Sequence, residues 1–144
     1  MNCINRKGQT LSVYTVQNLS FGAFFQGVTG GTVTISHDGT RTVSGDIIGA
    51  ELGFFYYPAI FELEVASGNT ISILNGADVN LSGSNGGAMT LSIEDSDVGS
   101  PFNTTAEPPA RTSVRVGASL TVGSPAANPA GNYSGTFEVT FILE

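Results

Sequence analysis

The chain of 144 residues has the length of one domain, because most domains contain about 100–200 residues. Its hydrophobic fraction of 40% supplies one core and argues against disorder, whereas its charged fraction of 12% is about half of the usual ~25%. Five basic and twelve acidic residues give a formal charge of −7, which excludes the cationic surface that nucleic acids and anionic membranes attract. The single cysteine, Cys3, excludes an intramolecular disulfide and a cysteine-rich zinc site.

The N-terminal residues, MNCINRKGQT, are polar, and we expect residues 1–10 to form a flexible segment. They lack the alternating apolar side chains of a strand that one subunit lends to another. The sequence has no run of ~18 apolar residues long enough to span a bilayer. It also has no signal stretch, so if the protein is exported, we expect its signal peptide to have been removed. Leu11, Val13 and Val16 then predict the first strand of the domain itself.

A period of two dominates the rest of the chain. In residues 31–36, Val33 and Ile35 alternate with threonines, which is typical of a strand with one buried and one solvated face. The same pattern recurs around Phe61, Leu63 and Val65; Ile71 and Ile73; Met89, Leu91 and Ile93; Val114 and Val116; and Leu120 and Val122. No apolar series with helical spacing persists, so we predict an all-β sandwich that contains residues 1–144 in a single domain.

Turn signals separate the predicted strands. The clearest is Asp38 followed by Gly39, which predicts a hairpin between two alternating segments because glycine accepts a positive φ at no steric cost. Two proline-rich segments, residues 100–111 and 124–131, are predicted to be long surface loops, since proline donates no hydrogen bond to a β-ladder.

The segment GNYSGTFEVTFI, residues 131–142, is predicted to be one strand that closes the sandwich. Gly135 leaves room in it for a facing side chain or a β-bulge. The predicted core residues of this strand and of the earlier segments are Tyr133, Phe137, Val139, Phe141, Phe21, Val33 and Ile35.

Few residues offer catalysis or metal binding. His37, the only histidine, stands beside Asp38 at the predicted hairpin turn, where adjacent side chains point in different directions, so a solvated turn is favoured over a catalytic pair. The cluster of Glu94, Asp95 and Asp97 lacks the spacing of a calcium-binding loop and favours a solvated turn. We therefore predict no catalytic residue, no metal site and no cofactor.

Phe54, Phe55, Tyr56 and Tyr57 form an uninterrupted aromatic run. Because side chains alternate along a strand, only two of the four can enter the core from one strand. We expect the loop to fold back and bury all four. The alternative is an interaction patch, because exposed aromatic patches commonly mark interaction sites.

Five motifs in a fixed order carry a resemblance to a known family: VQNLSFG (16–22), GGTVTIS (30–36), DGTR (38–41), VGASLTV (116–122) and NPAGNYSGTFEVTF (128–141). Together they resemble the bacterial domain-of-unknown-function family 4402 over about residues 16–141. The resemblance implies an exported protein of a Gram-negative bacterium, secreted or at the outer cell surface after transit through the periplasm. It also implies an immunoglobulin-like or pilin-like antiparallel sandwich, similar to fimbrial subunits, without catalytic residues.

Three hypotheses follow. The first is a non-catalytic structural or adhesive fimbria-like subunit, which would contact further copies of the chain or other surface proteins; the polar N-terminus predicts a self-complete sandwich. The second is a ligand- or glycan-binding module that uses the aromatic run and the proline-rich loops. The third, an enzyme, would require a deep pocket containing His37 or a cluster of buried carboxylates, whereas Glu62 and Glu64 alternate with core residues and lie on the solvated side of a strand.

Overall fold

The computed structural model describes residues 2–5, 11–50 and 52–144. These residues form strands β1 (Asn2–Asn5), β2 (Ser12–Gln17), β3 (Ala23–Ile35), β4 (Arg41–Ala50), β5 (Ala59–Glu64), β6 (Thr70–Asn75), β7 (Val79–Gly83), β8 (Ala88–Ser96), β9 (Phe102–Asn103), β10 (Thr112–Val122), β11 (Tyr133–Ser134) and β12 (Val139–Leu143). The predicted all-β class is confirmed. Within the described ranges, no helix combines the length and the apolar character needed to cross a lipid bilayer.

The strands form two sheets. The smaller sheet has the order β1-β12-β6-β9, with β1 parallel to β12 and the other neighbours antiparallel. The larger sheet has eight strands, six of which follow the antiparallel order β11-β7-β8-β10-β3-β4. Of the other two, β5 pairs with the first half of β10, and β2 pairs with β5. The sheets curl into a half-barrel, and this architecture is consistent with the predicted sandwich.

Strand β10 changes its partner in the middle, and this switch shapes the larger sheet. Its residues Thr112 to Val116 pair with β5, and its residues Ala118 to Val122 pair with β3. Gly117 lies between the two stretches, and a Cβ atom there would be 2.3 Å from the main-chain oxygen of Ile35. Only glycine therefore fits where β3 approaches β10.

The hairpin of β3 and β4 confirms the turn that Asp38 and Gly39 predict. The backbone N–H of Ser36 donates to the carbonyl of Thr40 at 2.9 Å, and the ladder continues from Ile35 opposite Arg41 to Ala23 opposite Ala50. Beyond the end of β10, the stretch from Ala23 to Gln26 pairs with β4 only.

The core consists of two clusters of buried side chains. The first lies between the two sheets and includes Phe61, Val114, Val139 and Phe141. The second lies inside the curl of the larger sheet and consists of Phe21, Val33, Ile35, Ile47, Leu81, Met89, Leu91, Ala118, Leu120 and Val122. Among the residues whose burial the structure describes, none of the smaller sheet belongs to the second cluster. The smaller sheet thus covers only half of the core.

The closing segment is two strands rather than one. β11 pairs with β7 in the larger sheet, and β12 pairs with β6 in the smaller sheet, so residues 135–138 cross between the sheets. The alternation of faces still holds across the crossing, since Val139 and Phe141 are buried. Tyr133 and Phe137, however, are only half-buried, because they lie at the open side of the second cluster. Alternation fixes which face a side chain occupies, but it does not fix the strand with which the backbone pairs.

The N-terminal strand β1 pairs with the last strand, from Asn2 opposite Thr140 to Asn5 opposite Leu143. These four residues belong to the segment for which the sequence predicts flexibility. Met1 and residues 6–10, the rest of that segment, lie outside the described residues.

Candidate functional site

The four aromatic residues of the run lie in the loop between β4 and β5, and all four are exposed. Phe54 and Phe55 expose 66% and 80% of their surface, and Tyr56 and Tyr57 expose 37% and 38%. The expectation that the loop folds back and buries all four rings is therefore wrong. Residues 52–58 are called the aromatic loop below.

Hydrogen bonds hold the backbone of the aromatic loop in place. The backbone of Ser20 exchanges two hydrogen bonds of 3.0 Å with the backbone of Tyr57, and the Ser20 hydroxyl donates to the carbonyl of Phe55 at 3.0 Å. The guanidinium of Arg41 lies 4.3 Å from the centre of the Tyr56 ring and donates to the carbonyls of Phe21 and Ala23 at 3.0 and 2.8 Å. The rings are thus presented by an anchored loop.

Other exposed apolar side chains lie on the neighbouring hairpin. Phe25 of β3 and Ile48 of β4 are directly opposite each other in the ladder, and they expose 58% and 68% of their surface. Large apolar side chains exposed together on a soluble domain are typical of interaction surfaces.

Between the start of β3 and the closing segment runs a groove of about 660 Å³. Its floor is the open side of the second core cluster, with Leu81, Met89, Leu91 and Leu120. One rim is formed by residues 21–26 and the other by residues 128–135, with Phe54 of the aromatic loop and Phe137 also in its lining. None of the lining residues carries a charge.

The curl of the larger sheet explains why the groove is open. Strands β7, β8 and β10 form its floor, while β11 and β3, which flank them in the sheet, form opposite rims. Leu19, Gly135 and Phe137 line both this groove and a smaller cavity of about 340 Å³, which Thr15, Gln17 and Val139 also help to line. The prediction of a self-complete sandwich stays a prediction, and the groove marks the place where it can be tested.

Asn128 anchors the proline-rich loop that forms part of one rim. It is buried, its side-chain oxygen accepts a hydrogen bond from the backbone N–H of Gly123, and its amide donates to the carbonyl of Ala88. The side-chain amide of Gln26 crosses to the same loop and donates to the carbonyl of Asn128 at 2.8 Å. Tyr133 donates from its hydroxyl to the carbonyl of Pro129 at 2.6 Å. The rim is therefore held by side chains from both edges of the groove.

The residues weighed for catalysis lie apart from the groove. His37 is in the β3–β4 turn, where the carboxylate of Asp38 accepts a hydrogen bond from the backbone of Thr40, and this bond lowers the pKa of Asp38 below its ordinary value. Arg111 lies 3.3 Å from the carboxylate of Glu62 and 3.6 Å from that of Glu64, on the solvated side of β5.

The residues of the acidic cluster make a local contact or face solvent. The carboxylate of Asp97 accepts a hydrogen bond from the backbone N–H of Arg115 at 2.8 Å, while Glu94 and Asp95 are exposed. Among the described residues, no group of three His, Cys, Asp or Glu side chains is arranged to hold a metal ion.

The sequence identifies the aromatic loop but not the groove beside it. Leu81, Met89, Leu91 and Leu120 follow the same period-two pattern as fully enclosed core residues. Nothing in that pattern shows that the opposite layer stops short of them, because the coverage of a sheet depends on where the other strands pack.

Searches of the curated proteins and of the solved structures found no match to this chain. A family model described as "Domain of unknown function (DUF4402)" matches residues 11–142, close to the range of 16–141 over which the sequence motifs carry the resemblance. The match covers nearly the whole chain, from just before β2 to within one residue of the end of β12, and the protein therefore belongs to this family.

Proposed function

We propose that the protein is a non-catalytic, exported cell-surface protein, a structural or adhesive subunit similar to fimbrial subunits, which binds another surface protein through the aromatic loop and the groove. The observation that carries this proposal is the position of Phe54, which is exposed on an anchored loop and also lines an uncharged groove. Aromatic side chains are enriched, and charged side chains depleted, at the centres of protein interfaces.

The energy available at this surface supports a binding role. Burying an exposed phenylalanine side chain yields roughly 1.5–3 kcal/mol, so Phe25, Phe54 and Phe55 together leave a substantial gain unused in the isolated chain. Because the Arg41 and Ser20 contacts fix the backbone of the loop, little further ordering is needed when a partner covers these rings.

The test uses a bacterium that encodes this chain. We expect antibodies to label the protein on intact cells, and we expect deletion of its gene to reduce attachment or to remove a surface assembly. Complementation with the wild type restores the phenotype, and complementation with Phe54→Ala does not, although both proteins reach the surface in equal amounts. Protein found only inside intact cells, or unchanged attachment and surface structures after deletion, would contradict the proposal.

A glycan-binding module is the second candidate, and the exposed rings of the aromatic loop favour it because sugars stack on such faces. It predicts saturable binding to one class of glycan on an array and loss of that binding in Tyr56→Ala or Tyr57→Ala. An array without any saturable ligand would remove this candidate.

A further inference from the structure

The two rims of the groove both present backbone that has no strand beside it. On one rim, Ala23 to Gln26 pair with β4 on one side only. In an antiparallel ladder, alternate residues direct their N–H and C=O groups away from the partner strand, so part of this backbone faces the open side. Arg41 occupies the carbonyl of Ala23, and the side chain of Gln26 crosses to the carbonyl of Asn128 at the end of this stretch. No other described strand lies along this edge.

The opposite rim has the same property. β11 is the end strand of its sheet, and Gly135, Thr136 and Phe137 after it make no backbone hydrogen bond to any described residue. Gly135 lies against β7, where a Cβ atom would be 2.8 Å from the Leu81 side chain. Glycine at this position therefore allows the segment to lie close to β7.

We propose that the groove accepts an extended segment of a different polypeptide, which adds a strand between β3 and the closing segment and completes the curl of the larger sheet. This inference rests on the proposed function and names the class of partner that the same site takes. The open backbone on both rims is the reason for choosing a polypeptide, because a chain in the β conformation offers N–H and C=O groups along both of its edges.

The floor and the rims define the chemistry of this segment. Successive side chains of a strand point to opposite faces, so every second residue would face Leu81, Met89, Leu91 and Leu120 and should be apolar. The uncharged lining disfavours a charged side chain at the inward positions, since a buried charge without a partner is costly. Ala23 to Phe25, which precede the point where the Gln26 side chain crosses the groove, correspond to about 10 Å of extended chain.

A second copy of this chain is a poor source of the segment. The alternating apolar segments in the part of the chain that the structure describes already pair within its own two sheets. The formal charge of −7 also makes two copies repel each other. We therefore expect the isolated protein to be monomeric in solution.

The experiment measures fluorescence anisotropy of a capped, fluorescein-labelled peptide, about seven residues long, in which Val and Leu alternate with Thr and Ser. We expect one peptide to bind per protein. The same peptide with N-methylated backbone amides should bind at least about tenfold more weakly, because it keeps the side chains but loses the strand hydrogen bonds. An isomer with its apolar residues in one block should also bind more weakly.

Two exposed apolar residues provide a matched pair of variants. Phe54 lines the groove and exposes 66% of its surface, whereas Leu74 lies in β6 of the smaller sheet, outside the groove and the aromatic loop, and exposes 59%. Phe54→Ala should weaken peptide binding by about tenfold, as is typical for an aromatic interface residue, whereas Leu74→Ala should leave it unchanged. Unchanged thermal melting of both variants shows that the fold is intact.

Three results would overturn the inference: equal affinity for the N-methylated peptide, binding of decanoic acid in the groove with no binding of the peptide, or an oligomer of the isolated chain that Phe54→Ala dissociates. These failures are distinct from failure of the proposed function. If the Phe54→Ala strain loses attachment but the wild-type protein does not bind the peptide, the surface role is supported and the added strand is rejected. If the wild-type protein binds the peptide but the Phe54→Ala strain still attaches, the added strand is supported and the surface role is rejected.

Discussion

The carboxylate of Glu107 accepts two hydrogen bonds from Ser67, one from the hydroxyl at 2.6 Å and one from the backbone N–H at 2.9 Å. These bonds hold the pKa of Glu107 below its ordinary value of 4.5, and the bond from the Ser67 hydroxyl has the larger effect. A carboxyl with a lowered pKa in the folded state stabilises that state fully above its unfolded pKa. The stabilisation is then lost as the pH falls through the folded pKa.

We therefore expect an NMR titration to give a pKa for Glu107 below 4.5 and expect Ser67→Ala to return it towards that value. The pKa of Asp38, which is lowered by its hydrogen bonds to Thr40, serves as the control and should not change. An unchanged pKa of Glu107 in Ser67→Ala would show that the hydrogen bond from the Ser67 hydroxyl is not its cause.

Phe141 and Phe137 differ in what covers them. Phe141 is fully buried and packs edge-on against Phe61, with 5.6 Å between the ring centres, whereas Phe137 is half-buried at the end of the groove. Phe141→Ala should lower the free energy of unfolding by about 3–5 kcal/mol. Phe137→Ala should cost less, since part of its ring already faces the groove. Urea denaturation measures both losses, and equal losses would mean that Phe137 is enclosed in solution.

At the scale of elements, Arg41 connects three parts of the chain: its own strand β4, the start of β3 and the aromatic loop. Its guanidinium stacks on Tyr56 and donates to two carbonyls on either side of Gly22. A Cβ atom on Gly49 would come within 2.5 Å of the same guanidinium. The DGTR motif thus places a side chain that positions the candidate site as well as a hairpin turn.

Arg41→Gln should loosen the aromatic loop, because it removes the stacking on Tyr56 and weakens the hydrogen bonds to the two carbonyls. We expect the amide of Tyr57 to exchange with solvent at least about tenfold faster, since hydrogen bonds to charged groups are worth roughly 1.5–3 kcal/mol. Arg115→Gln is the matched control, because the exposed Arg115 side chain makes no hydrogen bond, ion pair or ring contact with any described residue. Unaltered exchange of the Tyr57 amide would show that the Ser20 contacts hold the aromatic loop without a contribution from Arg41.

The elements themselves were largely predictable. Val33, Ile35, Phe61 and Leu63 lie in strands with the expected alternate burial. The division of the closing segment into two strands was not predictable. The periodicity of Tyr133 to Phe141 is the same whether the backbone pairs with one strand or crosses between two sheets. The crossing depends on the close contact of Gly135 with β7, which no local pattern contains.

At the scale of the whole molecule, the two halves of the core are covered differently. The first cluster lies between two sheets, and the second is covered only by the curl of its own sheet and by the closing segment. We expect amide hydrogen exchange to be slowest in β6, β12 and the first half of β10, and faster in β11 and residues 131–137. A bound strand peptide should slow exchange along both rims of the groove. Equal protection of all strands in the free protein would contradict the conclusion that the second half of the core is less fully covered.

The sequence by itself determined the all-β class, the hairpin at Asp38 and Gly39, and the presence of an aromatic run too long to enter one core face. These follow from local chemistry: the period of two, the backbone freedom of glycine and the spacing of side chains along a strand. Only the tertiary structure decided that the four rings remain exposed, that the closing segment divides between two sheets, and that a groove lies between the start of β3 and the closing segment. Those features depend on which strands pack over which, and the free energies that select such contacts come from residues far apart in the chain.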